Sequence, residues 1–275
     1  MASVSATTSS ERRRGAERGT IARKFEELRS QERRALVPYV TAGYPDVERT
    51  LALLQGLEAA GADVIELGLP FSDPMADGPV IQASSQRALE QGMTFDRLLE
   101  LVSRARLAIP VVLFTYLNPL LAAGDDALNR AADAGVGGVL ITDLPVGADP
   151  AREEWLGSGP LAFVRLVAPT TPRERMREIA KHGAGFIYLI SRLGVTGVRE
   201  DVPPDLAPTV ARLRAVTTLP VCVGFGVSRP AQASAIARVA DGVVVGSALV
   251  KAAGESVEAA LKLARELRAG VDAAR

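Results

Sequence analysis

The sequence predicts an α/β protein folded as a single (β/α)8 barrel, the TIM-barrel class, with a short N-terminal helix and a disordered N-terminal tail. Three observations predict it. From Ala35 onward, short runs that are almost continuously apolar and β-branched alternate with longer amphipathic ones, as buried parallel strands alternate with helices. A junction recurs, as EAAGADVI, ADAGVGGVL, AKHGAGFIY and RVADGVVV, which marks one βα module repeated. The chain has 275 residues and no second composition regime, and α/β barrels of about 250 residues routinely form one domain.

Taken in order, the first twenty residues, MASVSATTSSERRRGAERGT, are Ser/Thr- and Arg-rich with no apolar period. They have a transit-peptide flavour, but Glu11, Glu17 and the lack of an amphipathic face argue against it, so residues 1–20 read as a disordered tail and 21–275 as the barrel domain. The strands read as ALVPYV, DVIELGL, VVLFTY, GVLITD, AFVRLV, GFIYLI, VCVGFG and DGVVVG. Helical patterns lie between and after them, among them VERTLALLQGLEAA, TFDRLLELVSRARLA, PRERMREIAKHG and SVEAALKLARELRAG. Gly61, Gly135 and Gly183 stand where left-handed C-caps would end helices, and Ala240-Asp241-Gly242 replaces the Ala-Gly pair at the fourth junction. An open doubly wound sheet is the competing architecture. It would usually open its first helix with G-x-G-x-x-G, whereas the first strand here runs into VTAGYPD.

Composition removes several functions. The 32 basic and 32 acidic residues cancel, so no field draws the chain to nucleic acid or anionic lipid. A lone cysteine, Cys222 in an apolar run, suits a reducing cytoplasm. No apolar stretch approaches the roughly 18 residues that span a bilayer. The one histidine, His182, falls at a helix end on the wrong side of a barrel, and with no His/Cys cluster there is no familiar transition-metal site. Lys24, Lys181, Lys251 and Lys262 all fall in helical patterns, which argues against a Schiff base. Carboxylates remain.

Barrel active sites are built where strands end at their C-terminal side. There, Glu66 lies inside the apolar run DVIELGL. It is either a buried ion-pair or rim residue, or a carboxylate in the mouth whose pKa burial would raise toward neutrality. Asp77, downstream, reads equally as a turn former, as the N-cap of a helix starting near Pro79, or as a second acid/base carboxylate; Asp73 before Pro74 reads as a turn residue. The run Gly224-Phe-Gly226-Val-Ser228 and the run Gly246-Ser247-Ala-Leu-Val end the seventh and eighth strands, the usual phosphate corner of such barrels. Glycine lets amides approach an anion, and a helix beginning at Ser247 would aim its positive end at it, although glycine also ends strands for steric reasons alone. The segment Ser191-Arg-Leu-Gly194-Val-Thr-Gly197-Val-Arg suits a closing lid or a plain surface loop.

The blocks ELGLPFSDPMADGPVIQ, YLISRLGVTG, GFGVS and VVGSALVK, in this order and at these spacings, closely resemble the α subunit of tryptophan synthase, from about Ile21 to Leu267. The resemblance implies a lyase that cleaves indole-3-glycerol phosphate, retro-aldol fashion, to indole and glyceraldehyde 3-phosphate. Glu66 and Asp77 fall at the family's catalytic pair. Phosphate falls on the backbone around Gly197, Gly226, Gly246 and Ser247; Tyr188 matches a pocket tyrosine; Tyr39, Phe114 and Phe225 would wall the indole; Arg192 and Thr196 fall in the lid. Asp73, Pro74, Asn118 and Pro145 match positions near a β subunit, a pyridoxal-phosphate enzyme that completes an αββα heterotetramer, so no cofactor is expected in this chain. The N-terminal tail, Leu193 and Trp155 lie outside the family pattern. A stand-alone lyase releasing free indole, and a non-catalytic regulatory subunit, are the competing readings.

Overall fold

A computed structural model of the chain describes residues 19–190, 203–224 and 226–274. Eight parallel strands close in sequence order, the eighth pairing with the first: β1 Ala35–Thr41, β2 Ile65–Gly68, β3 Val111–Thr115, β4 Val136–Ile141, β5 Ala162–Val167, β6 Ile187–Ile190, β7 Val221–Gly224 and β8 Gly242–Val245. Each lies within or beside one of the expected apolar runs. The helices are α1 Thr20–Ser30, α2 Val47–Ala59, α3 Pro79–Glu90, α4 Phe95–Ala105, α5 Leu117–Ala122, α6 Ala127–Asp133, α7 Pro150–Ser158, α8 Arg173–Lys181, α9 Leu206–Arg214, α10 Pro230–Ala237, α11 Ser247–Glu255 and α12 Val257–Asp272. Asp46, Thr94, Asp149 and Ser256 start α2, α4, α7 and α12, each side chain accepting the N–H three residues on. Such caps satisfy one of the donors that every helix start leaves open.

Alternation along each strand divides the core in two. Outward residues such as Leu36, Ile65, Leu67, Leu113, Val139, Phe163, Leu189 and Val243 join the helices in the larger core. Inward residues such as Val37, Val64, Val112, Leu140, Val164, Tyr188 and Val244 fill the barrel. Helix α1 stoppers its N-terminal end: Ile21, Phe25 and Leu28 belong to the interior cluster, and Phe25 meets the ring of Phe186 at 5.7 Å. Gly138 makes room for this stopper, since a Cβ there would stand 2.6 Å from Ile21.

Gly61 and Gly135 have the expected left-handed backbone, at φ +92° and +103°. Gly183 does not. The left-handed residue at that junction is Gly185, at φ +79°: α8 is capped by His182, whose backbone N–H folds back onto α8 carbonyls, and the left-handed turn comes three residues later. The aspartates of two junctions are strand braces: Asp63 accepts the N–H of Leu36 at 2.9 Å and Asp241 that of Val221 at 2.9 Å. Each carries an arginine, Arg268 on Asp63 and Arg214 on Asp241.

One outward strand residue is charged. Arg165, only 4% exposed, pairs with Glu153 of α7 at 2.7 Å, donates to the carbonyls of Leu144 and His182, and lies 3.8 Å over the Phe163 ring. Glu153 in turn accepts the N–H of Gly147, so the pair holds the β4–α7 connection down. Removing one partner of such a buried pair strands a charge. Glu153→Ala is therefore expected to cost about 3–5 kcal/mol of stability in urea unfolding, and Glu153→Ala with Arg165→Met to recover part of it.

Candidate active site

The C-terminal ends of the strands surround a cavity of about 170 Å³, several times the ~30 Å³ share of one water. Glu66 and Asp77 both line it, with Tyr39, Phe114, Tyr188, Gly226, Gly246 and Ser247. The structure thus gathers two carboxylates, three aromatic rings and the ends of β7 and β8 around one opening.

Glu66 projects inward from β2, in register with Tyr39 of β1 and Val112 of β3. It is 1% exposed, and its Oε1 atom has no hydrogen-bond partner. No ion pair reaches it among the described residues, which removes the ion-pair reading. Burial disfavours the ionised form and pushes the carboxyl up to about 8.

Asp77 sits in the connection from β2 to α3. Gly78, not Asp77, is the N-cap of α3, and no side chain caps it, so the capping reading fails. The Asp77 backbone does close a turn onto Pro74 at 3.0 Å. Its half-buried side chain accepts a hydrogen bond from the Tyr116 hydroxyl at 3.1 Å. Burial lifts this carboxyl to about 6, with the Tyr116 bond pulling the other way. Tyr116 also accepts the N–H of Ala76 at 2.9 Å. Sequence reasoning missed this tyrosine; the available signal was an aromatic closing the run VVLFTY, at a strand's C-terminal end.

Tyr39 and Phe114 meet edge to face at 5.2 Å. The Tyr39 ring fits because β2 ends in glycine: a Cβ on Gly68 would lie 2.1 Å from its hydroxyl. Gly224 makes the same kind of space for Tyr188, at 2.5 Å, so this glycine serves a ring rather than the anion loop its sequence context suggested. Burial raises both phenols above their ordinary range, helped by the negative field of nearby carboxylates. They are neutral at physiological pH.

At the other side of the cavity lie Gly226, left-handed at φ +81°, and Gly246 with Ser247 at the start of α11. The helix starts nearby differ. The first turn of α10 is occupied by its own Gln232, whose Oε1 accepts the N–H groups of Ser228 and Arg229 at 2.9 and 3.0 Å. The start of α11 has no side-chain cap, and its first residues, Gly246 and Ser247, line the cavity, which places the helix's open N–H groups and positive dipole end beside it. Arg192, Thr196, Gly197 and Phe225 lie outside the described residues. Asp73, Asn118 and Pro145 are exposed and Pro74 half-buried; Asp73 and Pro74 lie on the connection after β2, Asn118 on α5 just after β3, and Pro145 on the connection after β4, one sector of the mouth. Met75, 87% exposed, sits among them. His182 ends α8 and bonds Glu178 at 3.1 Å, away from the cavity.

The family model described as Tryptophan synthase alpha chain matches residues 25–274. The tryptophan synthase alpha chain of Caulobacter sp. (strain K31) is 47% identical over 247 residues, 88% of each chain. That of Gloeobacter violaceus is 48% identical over 237 residues, 85% of this chain and 86% of its own. Among solved structures, tryptophan synthase subunit alpha from Legionella pneumophila superposes with a TM-score of 0.84 at 35% identity, covering 93% of this chain and 99% of its own. A chain of Mycobacterium tuberculosis tryptophan synthase superposes with a TM-score of 0.85 at 37% identity, covering 92% and 98%.

A carboxyl raised by folding makes stability fall with pH: between its ordinary value of 4.5 and about 8 the folded chain binds a proton that the unfolded chain has lost. Wild type is expected to lose on the order of a few kcal/mol between pH 5 and 9 from this group. Glu66→Gln should lack that component, so the unfolding free energies of the two proteins should diverge in the variant's favour as pH rises.

Proposed function

The chain belongs to the tryptophan synthase α-chain family, and from that premise we propose that it cleaves indole-3-glycerol phosphate to indole and D-glyceraldehyde 3-phosphate, with Glu66 as the proton carrier and Asp77 as the partner of the indole N–H. The observation that carries the assignment is one cavity holding a deeply buried, unpartnered carboxyl and a second, half-buried carboxylate.

Neutral Glu66, favoured by burial, gives its proton to C3 of the indole ring. Asp77, ionised above about 6, attracts the ring N–H and stabilises the positive charge that protonation leaves on nitrogen. Glu66, now a carboxylate, takes the proton of the side-chain hydroxyl. The bond from that carbon to C3 breaks, its electrons return to the ring as indole forms, and the hydroxyl carbon becomes the aldehyde. The proton is back on Glu66 and the cycle is closed. Each transfer by a placed group contributes about 10²–10⁴-fold.

Tyr39, Phe114, Phe225 and Tyr188 would hold the ring, and the start of α11 with Gly226, Gly246, Ser247 and Gly197 the phosphate; Arg192 and Thr196 would belong to the closing loop. The sector bearing Asp73, Pro74, Asn118 and Pro145 is the docking face for a β subunit in an αββα assembly, and the exposed Met75 supports an apolar contact there. Pyridoxal phosphate belongs to that partner: Lys24, Lys181, Lys251 and Lys262 all lie on helices of this chain, and none lines the cavity. No helix among the described residues is long and apolar enough to cross a membrane, which accords with a cytoplasmic biosynthetic enzyme.

Glu66→Gln and Asp77→Asn are each expected to lower indole formation by at least about 10²-fold while leaving binding of a phosphate-bearing ligand largely intact; turnover near wild type in either variant defeats the assignment. The kcat/KM profile should rise through about 6 as Asp77 ionises and fall through about 8 as Glu66 loses its proton. Indole release assayed with and without a β subunit should show a large increase on addition. Full turnover by the isolated chain would instead mark a stand-alone lyase.

A further inference from the structure

We propose that Tyr116 is a positioning residue for this reaction: its hydroxyl locks the Asp77 carboxylate in one orientation, with Oδ2 engaged and Oδ1 left for the ring N–H. The inference rests on Asp77 having the role given above.

Asp77 needs such a lock because nothing regular holds it. The segment from Ser72 to Ala76 is mostly exposed, and its backbone bonds there are local turns, Met75 onto Asp73 and Asp77 onto Pro74. A carboxylate on such a connection samples several side-chain rotamers, and each misplacement of about 1 Å can cost about 10²-fold in rate. Among the described residues, the long-range restraint on its carboxylate is the bond from Tyr116, 39 residues away in the chain.

Tyr116 is itself held. It follows β3 directly, is 3% exposed, and packs its ring against Phe71 at 5.2 Å between centroids. The next residue, Leu117, gives its N–H to Asp143 Oδ1 at 2.8 Å. The hydroxyl accepts from Ala76 N–H, which commits a lone pair and turns the phenolic proton toward Asp77. One rigid phenol therefore fixes both the backbone just before Asp77 and one of its carboxylate oxygens.

The other titratable groups facing Asp77 across the cavity are Tyr39 from β1, Glu66 from β2 and Tyr188 from β6; no Lys, Arg or His lines it among the described residues. With no cation among these described groups, the Tyr116 bond is what opposes burial at Asp77.

The test is Tyr116→Phe, which keeps the ring against Phe71 and deletes the hydroxyl. We expect kcat to fall about 10- to 100-fold with KM changed less than about threefold, and the acidic limb of kcat/KM to move to higher pH, since the bond that favours the ionised carboxylate is gone. In an Asp77→Asn background the same change should have little further effect on residual turnover, because the two groups act as a unit. Unchanged kcat, an acidic limb that stays in place, a loss of stability without a pH effect, or losses that simply multiply in the double variant would each overturn the proposal. Measuring Asp77→Asn alone separates the two levels. If it retains turnover, the role of Asp77 is wrong and the proposed function falls with this inference; if it is inactive while Tyr116→Phe is fully active, only the positioning role falls.

Discussion

An acid group enclosed in an apolar barrel, with one oxygen unpaired, is the constraint around which this molecule is arranged. Ionising Glu66 without a counter-charge or a full set of hydrogen bonds is costly, so the closed wall of strands makes the neutral acid the resting form. The wall alone would not suffice. A barrel open at both ends would admit water beneath Glu66, and α1, through Ile21, Phe25 and Leu28, removes that approach. What remains is a proton donor that can be reached only through the mouth.

The second carboxylate differs because its address differs. Glu66 stands on a strand, surrounded by inward-facing side chains; Asp77 stands on a connection, half in solvent and hydrogen-bonded by a phenol. Two groups of the same chemistry thus come to rest about two units apart, at about 8 and about 6. That separation lets one be protonated and the other charged over a shared pH range, which acid/base chemistry at two substrate positions requires. The aromatic walls add shape but no charge, since Tyr39 and Tyr188 keep their protons.

Much of this was legible in the chain. All eight strands could be placed because strands buried on both faces are apolar throughout, and Glu66 stood out because a carboxylate in such a run has no cheap explanation. Asp77 was less distinct: on residue pattern alone it was equally a cap, and only the family likeness raised it. Other features depend on closure and could not be read locally. Tyr116 meets Asp77 only once β3 lies beside β2. Gly68 and Gly224 look like strand ends, yet each is a space cut for a tyrosine on another strand or further along the wall. The misplaced left-handed glycine, Gly185 instead of Gly183, shows how two glycines in AKHGAGFIY leave the turning point undecided until the strand register is known. The braces Asp63 and Asp241 were visible as aspartates in two junctions, but their work, holding the amide of a neighbouring strand, belongs to the sheet.

Arg268 of the last helix reaches Asp63 and the carbonyl of Arg34, beside the beginnings of β1 and β2, and α1 covers the same end of the barrel. Both ends of the described chain therefore converge on the face opposite the opening. A carrier, an affinity label or a surface tether joined directly at either of these described ends would hang from the floor of the molecule, on the side away from substrate entry and the sector around Met75.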